Sequence, residues 1–186
     1  MHLHRFFMLL FATSELLLFV AKRSKAATTK NRDDRLSLLL FWVTIPVCFV
    51  MGGVIAKSDI GFPLDETIFN NTGMVIFIVG FIIRWLSIFQ LGKMFTVDVS
   101  ITNDHILKTD GLYKVARHPS YLGLVLIITG IAFFMDDLFS IAVVVIPVFL
   151  VTNYRISVEE KVLIAEFGSQ YEGYKRRVRK IVPFIY

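Results

Sequence analysis

Five apolar runs divide this 186-residue chain, and they constrain its fold more than any other feature. They cover residues 6–21, 36–56, 72–91, 121–135 and 138–154. A membrane-spanning helix needs about 20 apolar residues, so the second and third runs suffice alone, whereas the others need flanking residues or a thinner bilayer. The chain is 55% hydrophobic, above the roughly 45–50% of soluble domains. We therefore expect one all-α integral membrane domain, residues 1–186, with about five transmembrane helices.

Several local features refine these expected helices. Asp136 and Asp137 leave so little chain between the last two runs that these should form an antiparallel helical hairpin. Pro46 and Pro147 lie inside runs, where each should kink its helix rather than end it, because neighbouring helices can satisfy the freed carbonyls. The first run could pass for a signal peptide, but no small-residue cleavage site closes it, and we interpret it as a retained helix.

Positive charge is concentrated on one side of the expected bundle. Of the 20 Lys and Arg residues, 17 lie in three segments: after the first run, between the third and fourth runs, and after the fifth. Such segments stay on the cytosolic side, so five spans place the N-terminus outside and the C-terminus inside. The distribution suits anionic lipid headgroups better than nucleic acid, for which we expect no role. The lone Cys48 gives no disulfide framework, and no metal-ligand spacing is present.

We expect the chemistry in two long polar segments on the cytosolic side, residues 92–121 and 155–186. In the first, His118 precedes Pro119, which favours an extended His and a Pro in the first helical turn. His118 should therefore lie at the start of the fourth helix, beside N–H groups that can bind a carboxylate or phosphate. Contacts of Arg117 and His118 with lipid headgroups would explain the same spacing.

The second segment carries a charged pair and an aromatic stripe. If the fifth helix continues past the membrane, Arg155 and Glu159 lie one turn apart on one face. They could hold a polar group of a substrate, or form an ordinary surface salt bridge worth under about 1 kcal/mol. Further on, Phe167, Tyr171 and Tyr174 predict an amphipathic helix against the bilayer. This stripe favours packing over cofactor binding.

Two charges fall within apolar runs. Glu15 and Arg84 each lie roughly 10 Å inside the cytosolic boundary, at a rise of about 1.5 Å per residue. Charges within a membrane are costly and tend to pair, so our hypothesis is a structural ion pair between them. In the alternative, Arg84 extends to the headgroups and Glu15 is protonated.

Several motifs then follow one another in the order of a known family. In chain order they are Gly111-Leu112-Tyr113, Arg117-His118-Pro119-Ser120-Tyr121, Glu159-Glu160, Phe167-Gly168 with Tyr171 and Tyr174, and a terminal Pro183-Phe184-Ile185. This pattern resembles the isoprenylcysteine carboxyl methyltransferase family, which is related to the phospholipid N-methyltransferases. The resemblance covers about half of the chain, from Gly80 onwards.

The resemblance implies S-adenosylmethionine as the cofactor, bound at the cytosolic ends of the last helices and the tail. The positions that match the family's cofactor contacts are His105, Ile106, Leu107, Lys108, Tyr113, His118, Pro119, Ser120 and Tyr121. Arg155 and Glu159 match the pair that faces the methyl acceptor, with Arg155 holding its carboxylate and Glu159 orienting Arg155 or balancing its charge. A further family contact falls near Ser100, in a loop that is shorter here.

The implied function is a carboxyl O-methyltransferase that acts on a lipophilic acid, prenylcysteine-like or isoprenoid, at the inner leaflet. A phospholipid amine is the first alternative acceptor, although the positive charge of Arg155 would be unfavourable beside a cationic amine. NADPH-binding proteins of the sterol-reductase type share a similar C-terminal pattern but are much longer. A non-catalytic membrane binding module is a third alternative. The short chain is typical of a prokaryotic inner-membrane protein, and the sequence sets neither the acceptor nor the oligomeric state.

Overall fold

The computed structural model describes residues 2–21, 32–97 and 106–181. In this part of the chain the regular structure is helical, as predicted, and only isolated β-bridges occur beside the helices. Two short 3-10 turns, Gly92–Met94 and Gly111–Lys114, lie between the third and fourth helices. The α-helices are α1 (His2–Ala21), α2 (Arg32–Ile55), α3 (Glu66–Leu91), α4 (Pro119–Phe133), α5 (Leu138–Phe167) and α6 (Ser169–Arg177).

The chain is a membrane protein by the length and composition of its helices. Three segments are long and apolar enough to cross a membrane: Asp34–Ile55, Glu66–Met94 and Leu138–Phe167. The helix Pro119–Phe133 is apolar but shorter, with 15 residues. Large apolar side chains project from the bundle along these helices, where lipid rather than water is the favourable neighbour.

Helices α3 and α4 lie unusually close because glycines face each other across their contact. A Cβ atom added to Gly80 would lie 2.8 Å from the Gly123 carbonyl oxygen, and one added to Gly130 would lie 2.6 Å from the Gly73 carbonyl oxygen. Small residues allow helix backbones to approach in this way within membranes. The close approach brings the C-terminal half of α3 against the first turns of α4.

The predicted hairpin of the last two runs is confirmed. Asp136 takes a positive φ of 50°, and Asp137 then begins α5 as its N-cap, accepting a 2.7 Å hydrogen bond from the Ser140 N–H. Pro46 and Pro147 lie inside α2 and α5 and end neither helix, as predicted. Helix α5 continues to Phe167, well beyond the predicted end of its apolar run at residue 154.

A buried apolar cluster joins α2, α4 and α5. It contains Phe41 from α2, Leu124 and Ile128 from α4, and Val144 and Val148 from α5. Because α2 packs along α5 through this cluster, the first turns of α2 are brought beside the polar extension of α5.

Candidate active site

One end of the bundle holds a cavity that is lined by residues from all six α-helices. Polar and charged side chains share its wall with apolar side chains from α2 and α5, including Leu38, Trp42 and Val162. The structure brings to this wall eight residues that the sequence predicted for the site: Leu107, Lys108, Tyr113, His118, Ser120, Tyr121, Arg155 and Glu159.

Two of the other predicted residues, Ile106 and Pro119, are described by the structure and do not line this wall. Ile106 is 71% exposed, and Pro119 is buried in the first turn of α4, behind the lining residues. His105 and Ser100 lie outside the described residues.

His118 occupies the position predicted for it, the N-cap of α4 with Pro119 in the first turn. Its ring is buried, with Nε2 3.2 Å from Glu160 Oε1 and Nδ1 3.9 Å from Glu159 Oε1. Arg117 and His118 are only 8% and 3% exposed. The alternative in which these side chains contact lipid headgroups is therefore wrong, because both are enclosed by protein.

Sequence reasoning missed a buried ion cluster around Glu160. The Arg117 guanidinium donates to Glu160 Oε1 through Nε at 2.9 Å and through Nη2 at 2.7 Å. Lys175 Nζ lies 3.2 Å from the other oxygen of the same carboxylate. The Glu-Glu motif was the available signal, but it does not reveal which of its two members faces Arg117.

The same arginine ties the tail to the start of α4. Arg117 Nη1 donates to the Val178 carbonyl at 2.5 Å. The backbone continues this contact: the Arg117 N–H donates to the Arg179 carbonyl at 2.8 Å, and the His118 N–H donates to the Lys180 carbonyl at 3.0 Å. We call residues 171–180 the tail strap, since these bonds hold it over the cavity.

The predicted aromatic stripe is divided between two helices. Phe167 ends α5, Gly168 turns the chain with a φ of 49°, and α6 begins at Ser169. Tyr171 and Tyr174 are 1% and 3% exposed and line the cavity. The expectation that they lie against the bilayer is wrong, because α6 turns them inward onto the protein.

Tyr174 links the tail strap to the turn before α4. Its hydroxyl donates a 2.5 Å hydrogen bond to the Tyr113 carbonyl. Burial raises the pKa of the Tyr174 hydroxyl, and the Arg117 guanidinium opposes the rise. The hydroxyl therefore stays protonated near neutral pH and acts as a donor.

Arg155 and Glu159 lie one turn apart on α5 and both line the cavity, as the sequence predicted. The structure does not show the expected direct contact between these two side chains, because the hydrogen bonds of Arg155 go to other residues. Arg155 Nη1 lies 2.9 Å from Ser37 Oγ and 3.3 Å from Asp34 Oδ1, both on α2. Arg155 Nη2 donates to the Val97 carbonyl at 2.5 Å. The acid in direct contact with Arg155 is therefore Asp34, and Glu159 adds to the stabilisation of its charge from a greater distance. At 3% exposure Arg155 does not form an ordinary surface salt bridge.

The hypothesis of an ion pair between Glu15 and Arg84 is confirmed. Arg84 donates from Nε and Nη2 to the two carboxylate oxygens of Glu15, at 2.5 and 2.6 Å. Arg84 Nη1 also donates to the Ser120 carbonyl at 3.1 Å. Both side chains line the cavity, so the pair joins α1 to α3 and also forms part of the cavity wall. The alternative in which Arg84 extends to the headgroups is wrong.

Glu159 is the cavity acid with the least charge compensation. Its side chain is 30% exposed, and among the described residues its ion-pair contact is with His118 Nδ1, at 3.9 Å. The Tyr121 hydroxyl is a neutral hydrogen-bonding neighbour of the same carboxylate. Glu15, the other lining acid, is held by Arg84. An open carboxylate in a partly enclosed wall favours a ligand that carries positive charge.

Comparison with known proteins finds methyltransferases. The sequence model of the isoprenylcysteine carboxyl methyltransferase (ICMT) family matches residues 73–165. Protein-S-isoprenylcysteine O-methyltransferases B and A of Arabidopsis thaliana are each 34% identical over 118 residues, 62% of this chain and 60% of theirs. The Schizosaccharomyces pombe enzyme of that name is 28% identical over 121 residues, 64% of this chain and 51% of its own. The chain thus spans at most about 60% of the length of these relatives.

A solved structure agrees with the fold. The structure of a eukaryotic intramembrane Ras methyltransferase, ICMT, matches 96% of this chain and 64% of its own length, with a TM-score of 0.66 and 24% identity. The family match covers half of the chain and contains α4, His118 and the Arg155–Glu159 turn. The chain belongs to the isoprenylcysteine carboxyl methyltransferase family.

Proposed function

We propose that this protein is an S-adenosylmethionine-dependent carboxyl O-methyltransferase that acts on a lipophilic acid, prenylcysteine-like or isoprenoid. One observation carries the proposal: the start of α4 around His118 and the Arg155–Glu159 turn of α5 line the same cavity. The names of the plant and yeast relatives support the same activity.

The chemistry of the cavity wall fits the methyl donor. Three tyrosine rings, those of Tyr113, Tyr171 and Tyr174, provide flat apolar surface for a nucleoside. Glu159 offers an open carboxylate to a cationic centre, and Lys108 and His118 supply polar contacts. A bound sulfonium donor supplies an electrophilic methyl group, whose C–S bond electrons return to sulfur as the acceptor oxygen forms the new O–C bond.

Arg155 would hold the acceptor carboxylate. Asp34, Ser37 and the Val97 carbonyl fix its guanidinium in one position, so its N–H groups are oriented before the acceptor arrives. A carboxylate is already ionised at neutral pH, so the protein needs no general base, and positioning with partial desolvation supplies the rate. The apolar side of the wall, with Leu38, Phe41 and Trp42 from α2, would take the lipid chain.

The proposed topology has five spans, with α1 and α4 added to the three long apolar helices. The bond between Glu15 and Arg84 supports α1 as a member of the bundle, and the positive segments favour the cytosol for the end with the cavity. The active site would then face the cytosolic leaflet of a prokaryotic inner membrane.

Transfer of a labelled methyl group in lipid vesicles tests the function. The acceptor panel contains prenylcysteines, fatty acids and aminophospholipids, and binding of S-adenosylhomocysteine is compared with binding of NADPH. We expect methyl esters of the lipophilic acids. Labelling of the aminophospholipids alone would establish the amine alternative, and binding of NADPH alone would refute the methyltransferase.

Arg155→Ala tests the acceptor site itself. We expect turnover to fall below detection while S-adenosylhomocysteine still binds, because Arg155 is assigned to the acceptor and not to the cofactor. Isothermal titration beside the methyl-transfer assay separates the two effects. Unchanged turnover would remove Arg155 from this role.

A further inference from the structure

The Tyr171 hydroxyl is a buried polar group to which the contacts proposed above give no role, since they use only the ring. Tyr171 is 1% exposed and lines the cavity. Its hydroxyl has no hydrogen-bond partner among the described residues. Buried hydroxyl groups nearly always have a partner, since leaving one unpaired costs its lost hydration. At a cavity wall, a bound ligand can supply the missing hydrogen-bond partner.

Nearby protein groups are already engaged with each other. The Arg117 guanidinium lies close enough to the Tyr171 hydroxyl to lower its pKa, but the hydrogen bonds that Arg117 makes go to Glu160 and to the carbonyls of Lys175 and Val178. Arg117 and Glu160 also cancel each other's charge. Burial raises the pKa of the Tyr171 hydroxyl, and Glu160 adds to the rise. The hydroxyl therefore stays protonated beside an ion pair whose two charges compensate each other, and it can donate to an acceptor atom of a ligand.

The surrounding wall indicates which part of a ligand lies here. The Tyr171 ring meets the Tyr174 ring edge-on, with centroids 6.0 Å apart, and Tyr174 is bonded to Tyr113. An aromatic wall of this kind favours a flat heterocycle over a charged amino-acid group. The charged residues that line the cavity all lie outside α6, although one of them, Arg117, is next to Tyr171; they are Glu15, Arg84, Lys108, Arg117, Arg155 and Glu159.

We propose that Tyr171 is a binding residue for the nucleoside of the methyl donor, with its hydroxyl donating to a ring nitrogen or ribose oxygen. The proposal rests on the proposed function, because it assigns a contact to the same donor. It adds a directional hydrogen bond to the ring contact proposed above, from a residue outside the family match at residues 73–165. The tail strap would then give the cofactor site a specific polar contact as well as an apolar surface.

A matched pair of variants tests this role in the full-length protein in detergent. Tyr171→Phe and Tyr174→Phe remove the same atom from two neighbouring rings of one helix. The Tyr174 hydroxyl bonds to Tyr113, whereas the Tyr171 hydroxyl has no such bond among the described residues. We expect Tyr171→Phe to keep or raise the melting temperature without ligand, and Tyr174→Phe to lower it.

Ligand binding then separates the two hydroxyls. Tyr171→Phe should weaken binding of S-adenosylhomocysteine about three- to tenfold, the range of one neutral hydrogen bond. It should weaken 5′-methylthioadenosine, which has the nucleoside without the amino acid, by the same factor. An unchanged dissociation constant, or a loss confined to S-adenosylhomocysteine, would overturn the proposal. A fall in melting temperature like that of Tyr174→Phe would also overturn it, by showing a structural role. If the unmodified chain binds neither ligand, the proposed function fails with it.

Discussion

Helix α5 presents two neighbouring glutamates to two very different surroundings. Glu160 has an 8% exposed side chain and lies among Arg117, His118 and Lys175. Glu159 is 30% exposed, lines the cavity, and has one distant ion-pair contact, His118, among the described residues. Successive residues on an α-helix point about 100° apart, so a Glu-Glu pair at this place serves two faces at once. One acid contacts the arginine that holds the tail strap, and the other faces the cavity.

Glu160→Ala should have the largest effect of the changes that test this comparison. It leaves Arg117 buried without its carboxylate, which typically costs about 3–5 kcal/mol. We expect a large fall in melting temperature and loss of S-adenosylhomocysteine binding, because the tail strap depends on Arg117. Glu166→Ala, at an exposed position of the same helix, is the control. If both variants melt alike, Glu160 does not hold the strap.

Glu159→Gln should leave the fold intact and damage the site. The amide keeps the shape and removes the charge that is assigned to a cationic group of the methyl donor. We expect binding of S-adenosylmethionine to weaken about ten- to hundredfold, the range of one charged hydrogen bond. The melting temperature without ligand should change little. A variant that is less stable but binds normally would reverse the roles given to the two glutamates.

Lys175→Ala should have the smallest effect. Its side chain is 44% exposed although it lies 3.2 Å from Glu160, and exposed ion pairs contribute roughly 0.2–1 kcal/mol. Arg117 and His118 continue to compensate Glu160 in this variant. A small, salt-dependent fall in melting temperature is expected, measured at low and high ionic strength. An effect as large as that of Glu160→Ala would place Lys175 at the centre of the cluster.

Features that depend on local chain geometry were predictable from the sequence. Apolar runs give the helices, and the short Asp136-Asp137 connection gives the hairpin. The order His118-Pro119 gives the start of α4, and the four-residue spacing of Arg155 and Glu159 puts them on one face. The Glu15–Arg84 pair was predictable for another reason: a charge within a bilayer has few possible partners at its own depth.

What the tertiary structure alone decided is which side chains meet across the bundle. Asp34 reaches Arg155 across 121 positions, and Arg117 reaches Glu160 across 43. Tyr171 and Tyr174 face inward because Gly168 turns the chain after α5. The sequence by itself determined where the apolar helices lie, that the protein is a membrane protein, and which family its motifs indicate. The partners of the buried charges followed only from packing, because ion pairs and hydrogen bonds act over a few ångströms in space, whatever the separation along the chain.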